Sequence, residues 1–132
     1  MSNRVPGYLW VDPPIFASQD VQETWEFVVT EETRPGSKIY VPLDLTGLTA
    51  TLSLEHETVV GSGIFVNDID EEDCTIPTPA SGIIQFARTD DIVLNEGDHL
   101  GEIALFETGT CVARLPGGRR YFRVIVGRKL GS

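Results

Sequence analysis

Histidine is nearly absent from this sequence: His56 and His99 are the only two. Nucleophilic catalysis needs a base beside its nucleophile, and neither histidine lies in a local Ser-His-Asp or Cys-His context. His99 falls on the core-facing positions of its strand and reads as a satisfied structural residue, and His56 reads as a surface residue. Cysteine is as scarce. Cys74 and Cys111 are too few for a typical disulfide-stapled secreted domain. They read as free thiols packed as small apolar groups, and they lie too far apart for the short-spaced clusters that zinc selects. There is no G-x-x-x-x-G-K-[ST] loop and no G-x-G-x-x-G fingerprint. These absences point away from an enzyme and from any cofactor or metal.

Long apolar runs are missing too, so nothing approaches the ~20 residues that would span a bilayer. The segment Met1 to Trp10 has no basic stretch followed by an apolar one. No signal peptide is expected, and the product should be cytoplasmic when made. Basic residues are few: 10 Lys and Arg stand against 20 Asp and Glu, for a net charge of −10. An acidic surface repels phosphates, which argues against nucleic acid and against anionic membranes. The charge is uneven, because no acid follows Glu107, while Arg114, Arg119, Arg120, Arg123, Arg128 and Lys129 all do. Such a dipolar chain can pair head to tail with its own copies or with neighbours.

What is present is alternation and turn chemistry. Val21, Glu23, Trp25, Phe27 and Val29 occupy one face of a strand, and Leu48, Ala50, Leu52 and Leu54 occupy one face of another. Shorter strands are expected over Lys38 to Leu43, Ile64 to Ile69, Cys74 to Ile76, Ile83 to Ala87, Asp98 to Glu107, Thr110 to Leu115 and Arg119 to Val126. Gly- and Pro-containing turns separate them. Thr89, with Asp90 and Asp91, predicts one helical turn ending near Asn95, with the hydroxyl as cap. This pattern predicts an all-β fold: a β-sandwich domain over 21–128, an extended arm over 1–20 and a tail over 129–132.

The arm is rich in proline and carries Tyr8, Leu9, Trp10, Ile15 and Phe16. Proline keeps it extended. That much apolar surface should not be freely solvated, so the arm either folds back over a sheet edge or reaches a neighbouring subunit. The strand Asp98 to Phe106 is apolar on both faces, and the last strand more mildly so, which suggests an outer face covered by the arm or by a partner. The predicted contact residues are therefore Tyr8, Leu9, Trp10, Ile15 and Phe16 with Tyr121 and Arg123. The acidic run of Asp68, Asp70, Glu71, Glu72 and Asp73 offers oxygen ligands, but it lacks the glycine that turns an EF-hand loop sharply. A solvated acidic loop, or a contact for a basic neighbour, is the plainer reading.

Several segments in order resemble a known family. They are Trp25 to Val29, Pro42-Leu43-Asp44-Leu45-Thr46-Gly47, Ser81 to Ile84, Thr89-Asp90-Asp91, Gly97 to Leu105, and a closing strand after Pro116. The order is similar to the N-terminal domain of tailed-phage baseplate upper proteins and related immunoglobulin-like virion modules. The resemblance implies an immunoglobulin-like antiparallel sandwich and structural work in a virion, assembled in the host cytoplasm. Its partners would be other virion proteins and copies of itself in a symmetric assembly, with no nucleic acid and no membrane. Longer relatives carry a C-terminal receptor-binding extension. An adaptor, neck, accessory or decoration role is therefore expected here instead of a receptor platform. A glycan-binding sandwich is the alternative, since Trp10, Tyr8, Tyr40 and Tyr121 are available aromatics.

Overall fold

A computed structural model of the protein describes residues 8–10, 15–18, 23–34, 36–57, 61–89, 94–116 and 121–127, with the backbone alone at 8–10, 15, 16 and 18. The fold is an all-β sandwich of a four-stranded and a six-stranded sheet.

In the smaller sheet, β3 (Thr24–Glu32) is central. It pairs antiparallel with β1 (Tyr8–Trp10), while β7 (Ile83–Ala87) and β4 (Tyr40–Pro42) take successive stretches of its length. In the larger sheet β8 (Gly97–Glu107) is central. Beside it runs β5 (Leu48–Glu57), and beyond that β6 (Phe65–Asp73) ends the sheet. On its other side β8 is shared between β10 (Phe122–Gly127) and β9 (Thr110–Leu115). At the far edge β2 (Ile15–Ser18) pairs with β10 in parallel, where the other ladders are antiparallel.

Alternation in the sequence becomes the two inner faces. Trp25, Phe27 and Val29 of β3 face Leu52 and Leu54 of β5, Ile103 and Leu105 of β8, and Val124 of β10 across one buried cluster. Each large apolar side chain fully buried there contributes about 1.5–3 kcal/mol. Phe27 and Phe122 bridge the sheets with ring centroids 5.1 Å apart. Phe122 pairs with Gly101 on the neighbouring strand. A Cβ at position 101 would lie 2.2 Å from the Phe122 ring, so the glycine makes room for the aromatic.

The Asp44-Leu45-Thr46-Gly47 turn behaves as its chemistry predicts. Thr46 donates its backbone N–H and its hydroxyl to Asp44 Oδ1, at 2.9 and 2.6 Å. Gly47 takes a φ of 80°, the left-handed region open to glycine. Leu45, between them, is buried as a plug at this end of the core.

The helical turn predicted from Thr89 falls largely on 90–93, outside the described residues. The short helix that is described is a 3-10 turn at Pro79–Ser81, capped by Gly82 in the left-handed conformation. Proline at its first position and the Ser81 hydroxyl, which donates to the Thr78 carbonyl at 2.6 Å, favour one tight turn here. The strand expected over Lys38 to Leu43 shortens to β4: Lys38 takes a φ of 58°, and past Pro42 Leu43 keeps one bond to the Val29 carbonyl while the Val29 N–H goes to Gly82 instead.

The arm has two paired pieces. Tyr8–Trp10 is hydrogen-bonded along β3 and Ile15–Ser18 along β10, so both strands add to this chain's own sheets. Of the alternatives for the arm's backbone, this is the fold-back. Among its side chains Ala17 is described, and it is buried in the core cluster.

Candidate functional site

The core is not apolar throughout. At one end of the larger sheet, His56, Asp68 and His99 meet inside the sandwich. The sequence brings them together through three neighbouring strands. The core-facing positions of β5 are Leu48, Ala50, Leu52 and Leu54, and His56 is the next in that series. On β8 the inward series runs from His99 through Gly101 and Ile103 to Leu105. Glu55 pairs with Leu100, so one residue further His56 lies beside His99, with ring centroids 5.1 Å apart.

Asp68 enters by a different device. Leu54 pairs with Ile69 and Glu55 pairs with Asn67, which leaves Asp68 as the extra residue of a β-bulge in β6. A bulge breaks the strict alternation of sides and re-aims a side chain. Ile69 is buried in the core, and the neighbouring Asp68 side chain is just 3% exposed.

The carboxylate is surrounded by donors. Asn95 gives its backbone N–H to Oδ2 and its side-chain amide to Oδ1, each at 2.8 Å. His99 Nε2 lies 2.7 Å from Oδ2 and His56 Nδ1 lies 3.1 Å from Oδ1. Burial pushes the Asp68 carboxyl up, but the Asn95 N–H, the His99 ring and the Asn95 amide outweigh it and hold it below the ordinary carboxylate range. His99 is wholly buried, and its Nδ1–H donates to the Gly97 carbonyl at 3.0 Å. His56 Nδ1 is also buried; it sits within ion-pair distance of Asp68 yet makes no hydrogen bond there.

The surface reading of His56 is therefore corrected, since its side chain is 14% exposed. It was misplaced because it stands next to the end of its strand, between two glutamates. Asp68, read as part of a solvated acidic run, is separated from that run by the bulge. The structural reading of His99 agrees with its burial.

Next to this cluster, an open groove is lined by Glu55, Glu57, Glu96 and Asp98 together with His56, Phe65 and Arg123. Of the sequence-predicted contact residues, Arg123 donates to Asp98 Oδ2 at 2.7 Å. Arg114 does the same to Glu102 at 3.0 Å. Part of the basic C-terminal charge is thus matched within the chain. Tyr121 is 46% exposed and stands over a shallow depression with Ser53, Glu55, Asn67, Leu100 and Glu102. The side chains of Tyr8, Leu9, Trp10, Ile15 and Phe16 lie outside the described residues. Cys74 packs against the core, whereas Cys111 is exposed, which corrects the expectation that both thiols are packed.

A further exposed surface is the apolar stretch that leads into β6. Ile64 is 62% exposed just before the terminal strand of the larger sheet, and Phe65 43% and Val66 44% on it. Ile39, Tyr40 and Val41 form a second exposed apolar stretch at β4. Three consecutive large apolar residues on an edge strand were the available signal in the first case.

The class defined by these features is an antiparallel β-sandwich with a buried His-Asp-His cluster and an exposed apolar sheet edge. No protein family's sequence profile matches the chain, and no curated protein matches it.

Proposed function

We propose that this protein is a structural interaction module that binds other protein chains by edge-to-edge strand addition. The observation that carries the reading is the exposure of Phe65 and Val66 on the last strand of the six-stranded sheet, and of Ile64 just before it. Edge strands in isolated proteins are usually blunted by charge, proline or bulges, because an open edge recruits another strand. Strand addition supplies main-chain hydrogen bonds, with alternate side chains giving specificity. In this reading the arm completes the sheets from within, since the backbones of Tyr8–Trp10 and Ile15–Ser18 pair in cis. The contact surface then moves to β6.

The resemblance to tailed-phage modules supplies the setting: a virion component whose partners are copies of itself and other virion proteins. The acidic balance, net −10, favours partners that are proteins over nucleic acid or anionic lipid. Native mass by light scattering tests the proposal. The full chain should self-associate as concentration rises, and Phe65→Lys with Val66→Lys should return it to a folded monomer. A monomer at all concentrations, with no co-assembly among co-expressed virion proteins, overturns it.

A glycan-binding reading has one observation of its own, an exposed Tyr121 lining one depression with Ser53, Glu55, Asn67 and Glu102. Aromatic faces beside polar groups suit sugar rings. A glycan array in which signal disappears on Tyr121→Ala would favour it.

A further inference from the structure

We infer that His56, Asp68 and His99 form a binding site for one divalent first-row transition ion, with zinc as the ion to try first.

His99 is the best-defined member of the cluster. Both of its ring nitrogens face oxygen: Nδ1 the Gly97 carbonyl at 3.0 Å, and Nε2 the Asp68 carboxylate at 2.7 Å. A carbonyl accepts and never donates, so the proton of a neutral ring belongs on Nδ1. That leaves the Nε2 lone pair aimed at a carboxylate oxygen. Two electron pairs do not face each other at that distance inside a core unless a positive charge lies between or beside them. A second ring proton on Nε2 meets the requirement, and so does a metal ion beside both atoms; the observation that favours the ion is His56 Nδ1, buried at the same carboxylate without a hydrogen bond. An imidazole that ligates through one nitrogen while the other donates to a backbone carbonyl is the usual supporting arrangement for a metal-bound histidine.

The remaining donors fit the same picture. His56 Nδ1 is buried beside Asp68 Oδ1 without a hydrogen bond, so its lone pair is available to the same ion. One donor atom from each of the three residues lies within 4.8 Å of the others. Ligands held at ~2.0–2.2 Å from a shared ion stand up to about 4.4 Å apart, so donor atoms within 4.8 Å of one another need only a small closure to share one. Two imidazoles and one carboxylate are ligands of intermediate softness, suited to zinc, iron(II) or cobalt(II), and unlike the all-oxygen shells of calcium and magnesium. The carboxylate is already oriented by two hydrogen bonds from Asn95. His56 also lines the groove of Glu55, Glu57, Glu96 and Asp98, whose four carboxylates against the Arg123 cation favour the approach of cations.

The test uses the full-length chain, stripped with chelator and titrated with zinc by calorimetry, and with cobalt(II) by visible absorption. One equivalent should bind per chain. Cobalt should give d–d bands with nitrogen ligation, and His99 Nε2 should shift in nitrogen-15 spectra while Nδ1 stays protonated. His56→Ala, at the partly exposed ligand, should fold normally by circular dichroism and weaken zinc at least about tenfold. Asn95→Ala should weaken it by roughly 10–100-fold, the range for a residue that orients a ligand. Three results each overturn the assignment. One is the absence of saturable binding. Another is binding unchanged in His56→Ala. The third is a His99 ring that carries protons on both nitrogens with zinc present.

Discussion

The two halves of β6 have opposite chemistry on one edge. Its start, with Ile64 preceding Phe65 and Val66, is apolar and exposed. Its end, Asp70 to Asp73, is acidic and exposed, and a second break in register with Leu52 and Leu54 of β5 kinks it at Glu71, which takes a φ of 47°. Ser53 holds that kink by accepting the Glu71 N–H on its hydroxyl at 3.1 Å. Charge and bulging are the devices that stop an edge from recruiting strands. The second half has both and the first half has neither. One strand therefore carries a guarded edge and an open one, and the joint between them is Asp68, whose bulge turns its carboxylate into the core.

The comparison can be broken most severely at that joint. Asp68→Ala leaves His99 buried without its carboxylate and strands both Asn95 donors. Removing one partner of a buried, hydrogen-bonded pair costs about 3–5 kcal/mol, and denaturant unfolding should show a loss of that size. The sign with pH follows from the lowered Asp68 value. A carboxylate held below its unfolded pKa stabilises the fold above that unfolded value and loses the contribution as pH falls through the folded one. The acid limb of the wild-type stability curve should therefore flatten in metal-free Asp68→Asn.

A second break removes the guard. Asp70→Val with Glu72→Val should extend the sticky edge, raising native mass or causing precipitation at concentrations where the wild type stays soluble. The stability of the isolated fold should change little, because both side chains are exposed. A third change closes the open half: Phe65→Lys should suppress association while altering folding stability by no more than about 0.5 kcal/mol, as exposed substitutions generally do.

The smallest effect concerns the thiol just past β6. Burial, reinforced by the Asp73 charge, pushes the Cys74 thiol up to about 12. The thiolate is the reactive form. Iodoacetamide at neutral pH should modify exposed Cys111 and spare Cys74 in the native protein, with both modified after denaturation.

Most of the sandwich was legible from period-two alternation. Trp25, Phe27 and Val29 are inward where the pattern puts them, and so are Leu48 to Leu54 and Phe122 to Val126. The Asp44 to Gly47 turn was legible because its geometry depends on the chemistry of its own residues. The polar cluster was not. His56 and His99 both sit in inward series, but their meeting depends on the β5–β8 register, which is fixed by contacts along the whole ladder. Asp68 was further from reach, because the bulge places two consecutive residues, Asp68 and Ile69, on the core side, and no local residue type announces it. The β4 strand is shorter than expected for a similar reason: the Val29 N–H that would continue the ladder is taken by the Gly82 carbonyl from a distant part of the chain.

Amide hydrogen exchange along β6, measured on the wild-type chain at low and high concentration, tests the account most directly. Residues 64–66 should gain protection as concentration rises, while those at 70–73 exchange at the same rate throughout. Equal exchange in both halves at every concentration, or protection gained at the acidic end alone, would contradict it.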